Sequence, residues 1–171
     1  MKIFKHISIL LLVAAIIGNP TESIAQTHTV QREMRKEVPA SVDKAVMLQL
    51  VNEVRKKGYQ CGDTYYYPAP PLTWNDKLEA AAYLHSADMA KNRYFSHRAL
   101  DGTRGGNRIE RAGYAWKTFG ENIGQGFKTE KEMLKGWLES PGHCKNIMSK
   151  SYKEVGVGRV GTLWTQAFGS R

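Results

Sequence analysis

Two cysteines, Cys61 and Cys144, stand about 80 residues apart in the chain, and a bond between them would close a loop spanning most of the fold, worth roughly 4 kcal/mol in the chain-entropy picture. Whether they pair depends on the compartment the chain reaches, and the N-terminus speaks to that. Lys2 and Lys5 precede an apolar run from Ile7 to Ile17, then Gly18, Asn19 and Pro20, then Ser23-Ile24-Ala25. A basic start, an apolar stretch and a small-x-small site read as a secretory leader over 1–25, cleaved after Ala25. The run is shorter than the about 20 residues a membrane-spanning helix needs. No cysteine lies near the cleavage site, so no lipid anchor is expected. The mature chain is expected to be secreted or periplasmic, with an even cysteine count in an oxidising setting, and a Cys61–Cys144 disulfide is the leading reading. The alternative is a free, reactive Cys144 beside His143. It is the weaker one, because sequence neighbours usually direct their side chains apart, whereas a nucleophile needs its base close in space.

Charge narrows the partners. The full chain carries a net charge of +9, and losing Lys2, Lys5 and Glu22 with the leader leaves 23 basic against 15 acidic residues, a net of +8. Such a surface favours anionic envelope polymers, acidic glycans or anionic lipid, or simply keeps an exported protein soluble. The basic residues are scattered and no nucleic-acid motif accompanies them, so no nucleic-acid partner is expected.

Residues 26–40 read as a linker ending near Pro39, and residues 41–171 as one domain. Ser41 opens a helix in which Val42, Val46, Leu50 and Val54 recur at helical spacing and Gly58 supplies the stop. Residues 58–72, rich in Tyr and Pro, read as loop. A second helix is expected from Asn75 or Asp76, with Asp76 and Glu79 as a capping box and Leu78, Ala82, His85 and Met89 on its apolar face. GNRIERAGY (106–114) suggests a short helix, and FGENIGQGF (119–127) a short strand. Thr129 and Glu132 form another capping box, before a helix that stops at Pro141. At the end, alternation over 155–158 and β-formers after Gly161 predict a hairpin. Helices in front and strands at the end make the class α+β, with helices covering a small, mainly antiparallel sheet.

Seven stretches occur together and in order: LTWN (72–75), LHSADMA (84–90), YFSH (94–97), GENI (120–123), GWLESPGHCKNIM (136–148), VGVG (155–158) and WTQAFG (164–169). In this they resemble bacterial members of the CAP superfamily, named for cysteine-rich secretory proteins, antigen 5 and pathogenesis-related proteins. The resemblance covers about residues 41–170. It implies an α-β-α sandwich, an exported life and a surface cleft where polar residues gather. Eukaryotic members are known for two histidines and two acids in that cleft. His97 matches the first histidine and Glu121 the first acid. The second acid would fall at Ser140 and the second histidine at Leu163, so both are missing here. The bacterial branch carries a histidine in S-P-G-H, which makes His143 the replacement, and its C-G and G-H-C stretches support a Cys61–Cys144 pairing.

Two imidazoles and a carboxylate can hold zinc with one position open, so His97, His143 and Glu121 are the candidate metal and catalytic residues, with Zn the candidate cofactor. The plainer alternative is a His–Glu pair that only stabilises the fold. His85 shares its stripe with Leu78 and Met89 and reads as a packing residue. Ser96 and Ser140 lack a nucleophile-elbow setting. The tryptophans read as core or cleft wall, and Asn122 as a tie for backbone groups. Three functions follow. The first is a binding module engaging a lipid, glycan, peptide or protein through the cleft. The second is a metal-assisted peptidase or esterase on the same residues. The third is a cationic envelope-associated protein held by charge alone.

Overall fold

The computed structural model describes residues 41–171; the leader over 1–25 and the linker over 26–40 lie outside the described residues. Helix α1, Lys44–Lys57, begins where the Asp43 carboxylate accepts the Val46 amide at 3.1 Å and ends at Gly58, whose φ of 77° suits glycine. The face it buries differs from the expected stripe. Met47, Val51 and Arg55 point inward, while Val46 is exposed and Leu50 and Val54 pack at the margin. Periodicity missed this because a charged residue occupies the third inward position. Arg55 is fully buried, and it stays there by donating to the carbonyls of Pro70 (2.8 Å), Ile147 (2.6 Å) and Ser149 (2.9 Å). Burial pushes its pKa down to about 10, so it remains charged at neutral pH.

The expected loop over 58–72 contains a hairpin, β1 (Tyr59–Cys61) with β2 (Thr64–Tyr66), turning at Gly62, which has a φ of 60°. Gly-Asp was the turn signal within the aromatic run. A two-residue strand β3 (Thr73–Trp74) leads to α2, Asp76–Asn92. Asn75, and not Asp76, caps α2: its Oδ1 accepts the amides of Lys77 and Leu78 at 2.9 and 3.3 Å. Glu79 is thereby free to accept from Trp74 Nε1 and to pair with Lys44. Then come α3 (Gly105–Arg111), β4 (Thr118–Gln125) and α4 (Glu130–Glu139), the last with the expected Thr129/Glu132 capping box. Pro141 does end α4, but it also starts α5 (Pro141–Met148), because proline at a first helical position forfeits no hydrogen bond. The chain finishes with β5 (Glu154–Val160) and β6 (Leu163–Ser170), the hairpin expected at Gly161.

The four-stranded sheet has the order β3-β5-β6-β4, parallel only between β3 and β5, with β4 on one edge. Strand alternation sorts the layers. Val155, Val157, Trp164 and Phe168 face a core shared with α1, α4 and α5, including Met47, Val51, Trp137 and Ile147. The opposite face carries Gly156, Gly158 and Ala167 beneath α2 and α3. A Cβ at Gly156 would lie 2.1 Å from the Glu79 amide nitrogen, and one at Gly158 2.1 Å from that of Tyr83, so glycine lets the α2 backbone rest on β5. The molecule is α+β, an α-β-α sandwich as expected.

Cys61 and Cys144 are joined, 83 residues apart with Cα atoms 5.5 Å apart, and no free cysteine remains among the described residues. The reactive-thiol alternative is thereby excluded. The bridge pins α5 to the β1–β2 hairpin, with both sulfurs buried. A Cys61→Ser/Cys144→Ser variant is expected to lose about 2–4 kcal/mol, read as a lower urea midpoint, with the m-value raised because the unfolded chain is no longer cross-linked.

Candidate functional site

At the β4 edge the two helical layers part, and a cleft of about 730 Å³ opens between the 95–98 segment, the start of α3 and α5. Glu121 lies on β4 with its side chain only 9% exposed. Isolated, a carboxylate at this depth would be costly, so both of its oxygens are taken. Oε2 accepts from Arg108 Nη2 at 2.6 Å and Oε1 meets His97 Nδ1 at 2.9 Å. The pair forms because α3 starts with Gly105-Gly106. A Cβ at Gly105 would stand 3.2 Å from Glu121 Oε2, and a side chain at Gly106 would press on Phe119 and Trp116.

Arg108, itself 10% exposed, also donates from Nη2 to the His97 carbonyl (3.0 Å) and from Nη1 to the Thr103 carbonyl (3.2 Å). One guanidinium therefore fixes both the carboxylate and the backbone of its histidine partner. Burial raises the Glu121 pKa, but the His97 hydrogen bond and the Arg108 charge outweigh it and hold the carboxyl below its usual 4.5. Ionised Glu121 can only accept, so His97 carries its hydrogen on Nδ1 and directs Nε2 outward. The His97 side chain is 55% exposed.

His143 arrives from α5, its ring centre 6.4 Å from that of His97. Asn122 sets its height: Nδ2 donates to the His143 carbonyl (3.2 Å) and to Gln166 Oε1 (2.9 Å), while Oδ1 accepts from Asn146 (2.9 Å). Asn122 thus ties backbone as expected, though from within a strand and toward α5. Partial burial, then the neighbouring His97, push the His143 pKa down.

The three expected site residues thus line one cleft. They do not form a three-ligand metal cage. Among the described residues no group of three or more His, Cys, Asp or Glu converges tightly enough to hold an ion. Glu121 is committed to Arg108 and His97 and fits the role of the partner that orients a ligating imidazole; His97 Nε2 and His143 are the two nitrogens left for a cation. The Ser96 hydroxyl accepts the Arg98 amide at 3.1 Å, and among the described residues no hydrogen bond joins it to an imidazole. His85 is buried in α2 as expected, its Nε2 on the Ser96 carbonyl at 3.0 Å. Ser140 caps the junction of α4 and α5.

Four cleft residues escaped the sequence reading. Phe95 and Phe119 are exposed on its walls, and Arg98 and Arg104 are exposed at its mouth. Arg108 was missed as well. Its signal was the glycine pair opening α3, which marks close approach to a strand.

The sequence pattern of the Cysteine-rich secretory protein family, CAP, matches residues 48–166. The chain belongs to this family. The CAP domain is similar over 100 residues, at 38% identity, to the uncharacterized protein YkwD of Bacillus subtilis, covering 57% of this chain and 39% of that one. The uncharacterized membrane protein YlbC of the same species is 30% identical over 145 residues, 85% of this chain and 39% of that one. Among solved structures, an extracellular protein containing a SCP domain from Bacillus anthracis superposes with a TM-score of 0.67 at 30% identity, over 74% of this chain and 40% of that one. An outer surface protein of Borrelia burgdorferi shares the fold, with a TM-score of 0.65 at 22% identity over 78% and 99%. The match therefore spans about two fifths of both Bacillus subtilis proteins and of the Bacillus anthracis one. Among the described residues no helix is long and apolar enough to cross a membrane.

The pKa directions fix the pH response of the CAP domain. His85 and His143 are lowered from 6.5 and Glu121 from 4.5, so the unfolded chain binds more protons between the folded and unfolded values. Stability is full above 6.5 and falls as pH drops through the two histidine values, then again below 4.5. Urea titrations from about pH 7 to about pH 3 are expected to show both declines, and Glu121→Gln to make the lower one shallower without abolishing it, since Glu132 and Glu154 are also held below 4.5. That variant also strands the Arg108 charge and is expected to cost about 3 kcal/mol at pH 7. A flat profile would contradict these directions.

Proposed function

We propose that the protein is an exported binding module whose β4-edge cleft takes an acidic glycan. One observation carries this reading: Arg98 and Arg104 flank the cleft exposed, and neither pairs with a carboxylate among the described residues. Beside them stand two exposed aromatic rings, Phe95 and Phe119. Flat rings suit the C–H faces of sugars, and guanidinium forks suit carboxylates or phosphates. The outward Nε2 of His97 and the half-buried His143 add polar contacts on the floor. The cleft is a surface hollow, which favours a chain laid across it over a buried acyl tail. Export is supported by the leader pattern over 1–25 and by the likeness to a protein described as extracellular.

Titration with polygalacturonate, followed calorimetrically, tests this. Arg98→Glu/Arg104→Glu is expected to weaken binding by on the order of tenfold or more. Lys131→Glu/Lys135→Glu, on α4, carries the same charge change away from the cleft and is expected to have little effect. Equal losses from both variants would favour a protein held to anionic surfaces by net charge alone.

A metal-assisted peptidase or esterase is the second reading, supported by the orientation that Glu121 gives His97. A zinc ion held by His97 Nε2 and His143 would lower the pKa of a bound water. Turnover of ester or peptide that vanishes in His97→Ala and after chelation would favour it over binding alone.

A further inference from the structure

Helix α5 borders two hollows. His143 belongs to the β4-edge cleft, whereas Lys145 and Met148 line a separate surface hollow of about 330 Å³ against the β1–β2 hairpin. Residues two and five places further along a helix project from its other side, so one short element serves both. The Cys61–Cys144 bond ties the hairpin to α5 and holds the two walls of this hollow together. At its end Ser149 is fixed by the buried Arg55, which donates to the Ser149 carbonyl at 2.9 Å.

The hairpin wall is aromatic. Strand alternation turns Tyr66 against the core and leaves Tyr65 and Tyr67 facing solvent together, 48% and 73% exposed. Their rings meet edge to face with centres 5.3 Å apart. The Tyr65 hydroxyl donates to the Lys57 carbonyl at 3.3 Å, which orients that ring and, through it, its neighbour. A tyrosine offers a flat apolar ring with a polar tip, which suits the mixed C–H and O–H faces of a sugar.

The opposite wall is cationic. Lys145 and Lys150 line the hollow, no Asp or Glu does, and neither lysine pairs with a carboxylate among the described residues. Both are exposed, and the stretch 141–153 that carries them holds three lysines and no acid. Lysine presents a compact, rotatable ammonium that meets phosphate as a point charge, whereas the planar fork that matches a carboxylate is arginine's. We propose that this hollow is a second binding site, for a sugar phosphate, with the sugar against Tyr65 and Tyr67 and the phosphate on Lys145 and Lys150. It shares no residue with the β4-edge cleft, so it stands whether or not that cleft takes an acidic glycan.

Glucose 6-phosphate is the probe, with glucose and inorganic phosphate as its two halves. In ¹H–¹⁵N spectra of the whole protein, glucose 6-phosphate is expected to give saturable shifts with a dissociation constant on the order of millimolar. The shifts should centre on residues 65–67 and 145–150. Each half alone is expected to bind at least about fivefold more weakly, since it meets only one wall. Tyr67→Ser, at an exposed position, should weaken glucose 6-phosphate several-fold and leave inorganic phosphate unchanged. Lys145→Gln/Lys150→Gln should remove the preference for glucose 6-phosphate over glucose. Absence of saturation, shifts centred elsewhere, equal affinity for glucose 6-phosphate and inorganic phosphate, or indifference to either variant would each overturn the proposal.

Discussion

A carboxylate taken out of water must be matched, and the way Glu121 is matched organises the exposed end of this CAP domain. The penalty for burying such a charge is several kcal/mol even after relaxation, so its two oxygens cannot be left to chance. Arg108 takes one and His97 the other. Because the same guanidinium also holds the His97 carbonyl, the segment carrying His97 is anchored at backbone and side chain together. Cleft geometry thus follows from an electrostatic requirement on one strand residue.

The second wall is fixed by different means. His143 sits one residue before a buried disulfide, on a short helix whose end is gripped by the buried Arg55 and whose start is tied to β4 through Asn122. Two internal cations, Arg55 and Arg108, do related work. Each lies where loops would otherwise present bare carbonyls to the interior, and each is held by several acceptors. Under these helices the sheet is thin on the α2 side, where glycines replace side chains, and thick on the other, where tryptophans fill the space. That asymmetry brings α2, with His85, close behind the cleft wall.

Sequence alone carried the frame of this picture and less of its polar interior. The capping box at Thr129, the C-terminal hairpin and the gathering of His97, Glu121 and His143 were legible because turn chemistry and ordered motifs are local signals. The buried arginines were not. Arg55 reads as part of a basic surface run, and only the carbonyls of Pro70, Ile147 and Ser149, distant in the chain, make its burial tolerable. The α5 helix was hidden for a related reason, since proline signals both a stop and a start, and the packing of Cys144, Ile147 and Met148 into the core decides between them. Phe119, on the edge strand β4, and Phe95, in the segment after α2, face solvent, and no local pattern in the sequence signals that exposure.

Under the proposed binding role, a charge-matched cleft whose side chains are already held in place lowers the ordering cost of association. Glu121, ionised and clamped, dictates how His97 faces that cleft. Long-range ¹H–¹⁵N correlation of the imidazole resonances reads which ring nitrogen of His97 carries the hydrogen. His97 is expected to carry its hydrogen on Nδ1, and Glu121→Gln to remove this preference. A His97 ring protonated on Nε2 in the unaltered protein would contradict it.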